Sequence, residues 1–99
     1  MAGVTLTLPR SLRDYWAGEP QVRLDAATLA DALSEVGRRW PGLAERILDD
    51  RGRVRPHIGL FVNALPVMHQ DPREVRLADG DVVRVLPAVS GGSGNGRQG

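Results

Sequence analysis

Few side chains in this 99-residue chain have the type and spacing to do chemistry. There is no cysteine, which excludes a thiol nucleophile, thiolate metal ligands and disulfides. His57 and His69 are the only histidines, and neither stands at helical spacing from an acid. They read as surface or edge residues rather than a metal pair. Asp79 and Asp81 flank Gly80. A turn followed by a strand entry accounts for them better than two carboxylates acting as acid and base. That leaves the C-terminal stretch, LPAVSGGSGNGRQG, where an apolar run gives way to Gly91 and Gly92. Taken alone, such a pair marks the start of a flexible end.

The elements that position this end follow from periodicity. In VTLTLP, Val4, Leu6 and Leu8 share one face and the threonines the other, a half-buried strand stopped by Pro9. SLRDYWAGEP is expected as a loop, with Leu12 and Trp16 tucked inward, and QVRLD repeats the alternation. Thr28 with Asp31 three residues later has the spacing of a helix N-cap. Leu29, Leu33, Val36 and Trp40 then form one helical stripe, so Trp40 is expected to pack at the helix end against the sheet. Pro41 ends this helix by restricting Trp40. A second short helical piece, GLAERILDD, directs Leu43, Ile47 and Leu48 inward. HIGLFVN is a strand, Asn63-Ala64 a tight turn, LPVMH a short edge strand limited by Pro66, and Asp79-Gly80 a turn before the last strand, 82–89. The order predicts an α+β roll, a mixed sheet of four to five strands with one main helix on one face. If Leu60, Val62, Val83 and Val85 face that helix, Phe61 and Leu86 face away, side by side on neighbouring strands, as a patch for docking a partner.

Composition bounds the function. The 13 basic and 12 acidic side chains are interleaved, so no polyanion-binding field and no nucleic-acid partner are expected. No stretch approaches the roughly 20 apolar residues of a membrane span, and the N-terminus lacks a signal pattern. The expected location is the cytoplasm.

LPRSLRDYW, the helix ending in RRWPGLAERILDD, FVN, and above all LADGDVVRVLPAVSGG resemble the MoaD/ThiS group of ubiquitin-like sulfur carriers. The likeness is closest to the members serving cysteine biosynthesis and covers about residues 3 to 92. It implies a ubiquitin-like β-grasp over residues 1–90, with the first and last strands parallel neighbours, and a flexible tail over 91–99. It further implies a carrier rather than an enzyme. The glycine carboxylate is adenylated by a ubiquitin-activating-type adenylyltransferase and converted to a thiocarboxylate; sulfur donor and acceptor enzymes complete the cycle. ATP belongs to that activating partner, and the carrier needs no cofactor or metal of its own. Glycine suits the tip because it adds no side-chain width and accepts any backbone angle in a narrow channel.

The departure from the family is the tail. Ser93 to Gly99 follow Gly92, whose carbonyl is therefore an amide in the chain as written. By family analogy, a zinc-dependent peptidase removing 93–99 would expose Gly92; a longer arm activated at Gly99 is the other route. Three further roles stay open on the sequence: an interaction module that never carries sulfur, the small subunit of a molybdopterin-synthase-type complex, and a modifier attached to lysines.

Overall fold

The computed structural model describes residues 2–16 and 18–87. Gly91, Gly92, the tail 93–99 and the expected last residues of the final strand lie outside the described residues. Five strands, β1 (Ala2–Thr7), β2 (Gln21–Ala26), β3 (Ile58–Val62), β4 (Leu65–Pro66) and β5 (Val82–Pro87), form one sheet in the order β2-β1-β5-β3-β4. β1 and β5 run parallel, Thr5 opposite Val82 and Thr7 opposite Arg84; every other neighbouring pair is antiparallel. Parallel neighbours require a long connection, and here it carries both helices, α1 (Leu29–Arg39) and α2 (Pro41–Ile47). This is the ubiquitin-like β-grasp.

The alternation read from the sequence sets which face is buried. Val4, Leu6, Leu60, Val83 and Val85 are all at most 1% exposed and share one cluster with Leu29, Val36, Leu43 and Ile47 of the helices. Thr28 caps α1, its hydroxyl accepting from the Asp31 N–H at 3.2 Å.

Two expectations for this region are corrected. SLRDYWAGEP is not a plain loop: Arg10–Trp16 forms a 3-10 helix that drives Trp16 into the core, its indole N–H donating to the Glu19 carbonyl. Trp40 packs against the core from the end of α1, as expected, but stays half-buried. It stands between the helices as C-cap of α1 and N-cap of α2, with φ −139°, because Pro41 at the start of α2 disfavours helical geometry in the residue before it. Its ring packs edge-on to Trp16, centroids 5.3 Å apart, and the Arg39 guanidinium covers it at 4.3 Å. The edge strand is also shorter than LPVMH: it covers Leu65 and Pro66, and after the Val67 N–H has donated to the Leu60 carbonyl at 2.9 Å the chain turns, the Gln70 N–H donating back to the Val67 carbonyl.

Candidate functional site: the root of the C-terminal arm

β5 is the element that delivers the chain end, and its first residues are fastened in detail. The Thr5 N–H donates to the Asp81 carbonyl at 3.0 Å, and the Asn63 N–H to the Val82 carbonyl at 2.7 Å. Asn63 holds φ +56°, a left-handed conformation that Asn tolerates better than most residues, and its side chain bridges two segments. Its amide donates to Asp81 Oδ1 at 3.1 Å, and its oxygen accepts from the Val82 N–H at 3.0 Å. Asp81 Oδ2 accepts from the Ala78 N–H, and Asp79 Oδ1 from the Gly3 N–H. Gly80, with φ +88°, closes the turn by donating to the Gly3 carbonyl. Both carboxylates are therefore consumed in holding the turn. The Ala78 N–H, then the Asn63 amide, holds the Asp81 carboxyl below the ordinary aspartate range. These groups sit at the start of β5, and the arm leaves from its other end.

At that other end, Pro87 pairs with Ile58 and lines a small cleft of about 200 Å³ with Pro9, Leu12, Tyr15, Arg46 and His57. Arg46 lies 5.2 Å from the centre of the Tyr15 ring. A larger cleft of about 710 Å³ includes Thr7, Arg13, Asn63, Arg84 and Leu86 in its lining.

The two residues expected to form a patch share a face, with altered geometry. Phe61 and Leu86 both lie on the sheet face away from the core, on neighbouring strands. They are diagonal rather than directly opposite: Leu86 faces Gly59, and Phe61 faces Arg84. The Phe61 ring folds over Gly59, its Cε1 3.2 Å from where a Cβ there would sit, with Met68 Cε at 3.6 Å. Phe61 is thereby half-buried, whereas Leu86 is 37% exposed. Gly59 has no side chain of its own, and the aromatic covers the gap that this leaves in the sheet face. Sequence reasoning passed over Leu65, 60% exposed beside Pro66 on the edge strand, and Tyr15, 36% exposed.

His57 and His69 line different clefts, and among the described residues no group of three or more His, Asp or Glu is placed to hold a metal ion. No described helix is long and apolar enough to cross a membrane. What the arrangement offers is a firmly anchored strand ending in an exposed leucine, an arginine and a proline, from which the Gly-Gly segment continues.

Comparison with known proteins agrees with this fold. The ThiS family model matches residues 7–92, from the end of β1 to the second glycine of the pair. Small archaeal modifier protein 3 of Haloferax volcanii is 41% identical over 78 residues, covering 79% of this chain and 78% of that protein. The sulfur carrier protein CysO of Mycobacterium tuberculosis is 32% identical over 91 residues, 90% of this chain and 98% of CysO. Its crystal structure superposes with a TM-score of 0.78 at 31% identity, over 87% of this chain and 99% of that one. CysO in the Amycolatopsis orientalis BexX/CysO complex gives a TM-score of 0.77 at 31% identity, over 90% and 99%. A β-grasp fold whose last strand runs into a glycine pair, matched over that whole span, makes the chain a member of the ThiS family.

Proposed function

We propose that this chain is a sulfur carrier, not an enzyme, working through the carboxylate of Gly92 after residues 93–99 are removed. A partner adenylyltransferase binds ATP; a Gly92 carboxylate oxygen attacks the α-phosphorus and pyrophosphate leaves. A sulfide-level donor then attacks the acyl carbon, AMP leaves, and the thiocarboxylate carries one sulfur in place of one oxygen to a biosynthetic acceptor. The chain supplies reach and a docking surface, and the catalytic groups and ATP site belong to the partner. Phe61 and Leu86, beside Arg84, are the surface assigned to that partner, and Gly91 and Gly92 the segment that enters its channel.

The observation that carries this reading is where the family match stops: residue 92, the second glycine, with seven residues still to follow. An amide at Gly92 lacks the carboxylate oxygen that adenylation needs, so a peptidase, zinc-dependent in the family analogy, must act first. The test is ATP–pyrophosphate exchange by the adenylyltransferase of the same cell, on the full chain and on residues 1–92, followed by intact mass. The truncated form exchanges and then gains sulfur, and the full chain does neither until cleaved. Sulfur found at Gly99 of an uncut chain refutes the processing step. An inert truncated form gives the lead to a non-carrier interaction module.

The likeness to a modifier protein favours a second use of the same activated end, transfer to amines of other proteins. All 13 basic side chains of the 99 residues are arginine, so none of them is a lysine that could accept this chain's own acyl group. Adducts formed by residues 1–92 are then single additions rather than lysine-linked chains of itself.

A further inference from the structure

The sheet face turned away from the helices carries one row of residues across its three middle strands. Thr7 of β1 stands opposite Arg84 of β5, and Arg84 stands opposite Phe61 of β3. Gln21 continues the row onto β2 beside Thr7, and Pro66 continues it onto β4 beside Phe61. Along its own strand, Arg84 has Val82 and Leu86 two residues away on the same face. Every one of these neighbours is uncharged. Arg84 itself is exposed and makes no ion pair among the described residues. The groove of about 710 Å³ that follows this face has Arg13 and Arg84 as its only charged lining residues.

Several other arginines have an acid at hand. Glu35 serves Arg38 and Arg39, and Asp71 serves Arg73. On the same sheet face, the Arg23 guanidinium shares the space above Gly3 with the carboxylates of Asp79 and Asp25. Arg13 is followed directly by Asp14 and turns its Nε to the Leu8 carbonyl at 3.2 Å. Arg84 differs from all of these. The nearest acid along its strand, Asp81, lies at the far end from Leu86 and spends its two oxygens on the Ala78 N–H and the Asn63 amide. A lone cation thus stands in an uncharged patch, directly opposite Phe61 and two residues before Leu86.

We propose that Arg84 is the specificity-determining residue of the docking face, and that the adenylyltransferase covering it presents a carboxylate between its apolar contacts to Phe61 and Leu86. This rests on the carrier reading, which assigns that face to the activating partner. Six residues separate Leu86 from Gly92, a reach of at most roughly 20–22 Å. A protein that holds Gly92 at its ATP therefore lies over this end of the sheet, and one that covers both Phe61 and Leu86 also covers Arg84. A guanidinium stripped of water without a partner opposes docking, so an apolar surface opposite it is rejected. A basic surface is rejected by repulsion. A carboxylate matches the planar fork of donors and restores the lost hydration. The apolar contacts supply adhesion, and the single charge supplies the choice of partner.

The experiment measures binding of residues 1–92 to the adenylyltransferase of the same cell by titration calorimetry, with ATP–pyrophosphate exchange read on the same samples. Arg84→Lys, which keeps the charge, should raise Kd less than roughly fivefold; Arg84→Leu should raise it at least about tenfold and Arg84→Glu about a hundredfold. The side chain is exposed, so the melting midpoints of all three should stay within a few degrees of wild type. Raising salt from about 0.05 to 0.5 M should weaken wild type roughly tenfold and Arg84→Leu far less. Arg84→Leu binding as tightly as wild type, or more tightly, overturns the proposal, because the face would then be selected by apolar area alone. Wild-type exchange by Arg84→Glu overturns it too and leaves the carrier reading intact. Docking that follows the Lys, Leu, Glu order without any exchange supports the role of Arg84 and sinks the carrier reading instead. Absence of docking by wild type overturns both.

Discussion

Replacing Trp16 with alanine should damage this domain more than replacing Trp40, although both are tryptophans in one cluster. Trp16 is 3% exposed, its indole N–H satisfies the Glu19 carbonyl, and it carries the edge-on contact to Trp40. Truncating a buried aromatic costs about 3–5 kcal/mol, and the satisfied hydrogen bond places Trp16 in the upper part of that range, at about 4–5 kcal/mol. Trp40 is half-buried, so about 2 kcal/mol is expected, including its share of the aromatic contact at roughly 0.5–1.5 kcal/mol. For a domain of this size, each kcal/mol moves the melting midpoint by about 4–8 °C. Trp40→Ala should therefore melt roughly 8–16 °C lower than wild type, and Trp16→Ala at least about twice as far. Urea unfolding followed by far-ultraviolet circular dichroism measures both without relying on the fluorophores being removed. The double variant should fall short of the sum of the two by about 1 kcal/mol, the coupling of rings in contact. A Trp40→Ala loss equal to or larger than that of Trp16→Ala would refute the reasoning, because it would put Trp40 in the core and Trp16 outside it.

Other outcomes follow from the arm root. Asn63→Ala loses two exposed hydrogen bonds and strains a left-handed backbone, about 2–3 kcal/mol in all, whereas Asn63→Gly loses only the bonds, about 1 kcal/mol; equal midpoints for the two would remove the conformational argument. Leu86→Asp should leave the midpoint within about 0.5 kcal/mol and raise the KM for adenylation of residues 1–92 roughly tenfold. Phe61→Asp should weaken both docking and stability, because its ring covers Gly59; unchanged adenylation by a folded Leu86→Asp protein eliminates the patch. Asp81 has a folded pKa below its unfolded value, so its stabilising share is complete above about pH 4 and is lost as pH falls through the lowered folded value. Comparing urea midpoints at neutral and acid pH, the acid loss should be smaller in Asp81→Asn, and identical losses in both proteins count against the clamp.

Much of this molecule was legible in its residues because the signals were local. The alternations of Val4 with Leu6 and of Val83 with Val85 fix a buried face by the two-residue period of a strand, whatever the neighbours are. The Thr28 cap and the Leu29–Leu33–Val36 stripe fix a helix and its inward side in the same way. The glycine pair, with LADGDVVRVLPAV before it, already marked the family. Neighbour-dependent features were not legible. Trp16 was read as tucked inward, but the 3-10 helix that carries it, and its edge-on contact with Trp40 at the helix junction, are encoded by no periodicity. Phe61 reads as exposed by parity, yet only the pairing of β3 with β5 and the gap at Gly59 show that its ring lies down on the sheet. Residues 48–54 and 68–73 are far apart in sequence, and only the packing of the chain brings members of both to the lining of one cleft. Sequence by itself determined which residues are apolar, which face of each element they occupy and where the glycine pair follows the last apolar run. The tertiary structure alone decided which exposed groups became neighbours, because side-chain contact depends on strand order and crossover, which the order of residues along the chain does not specify.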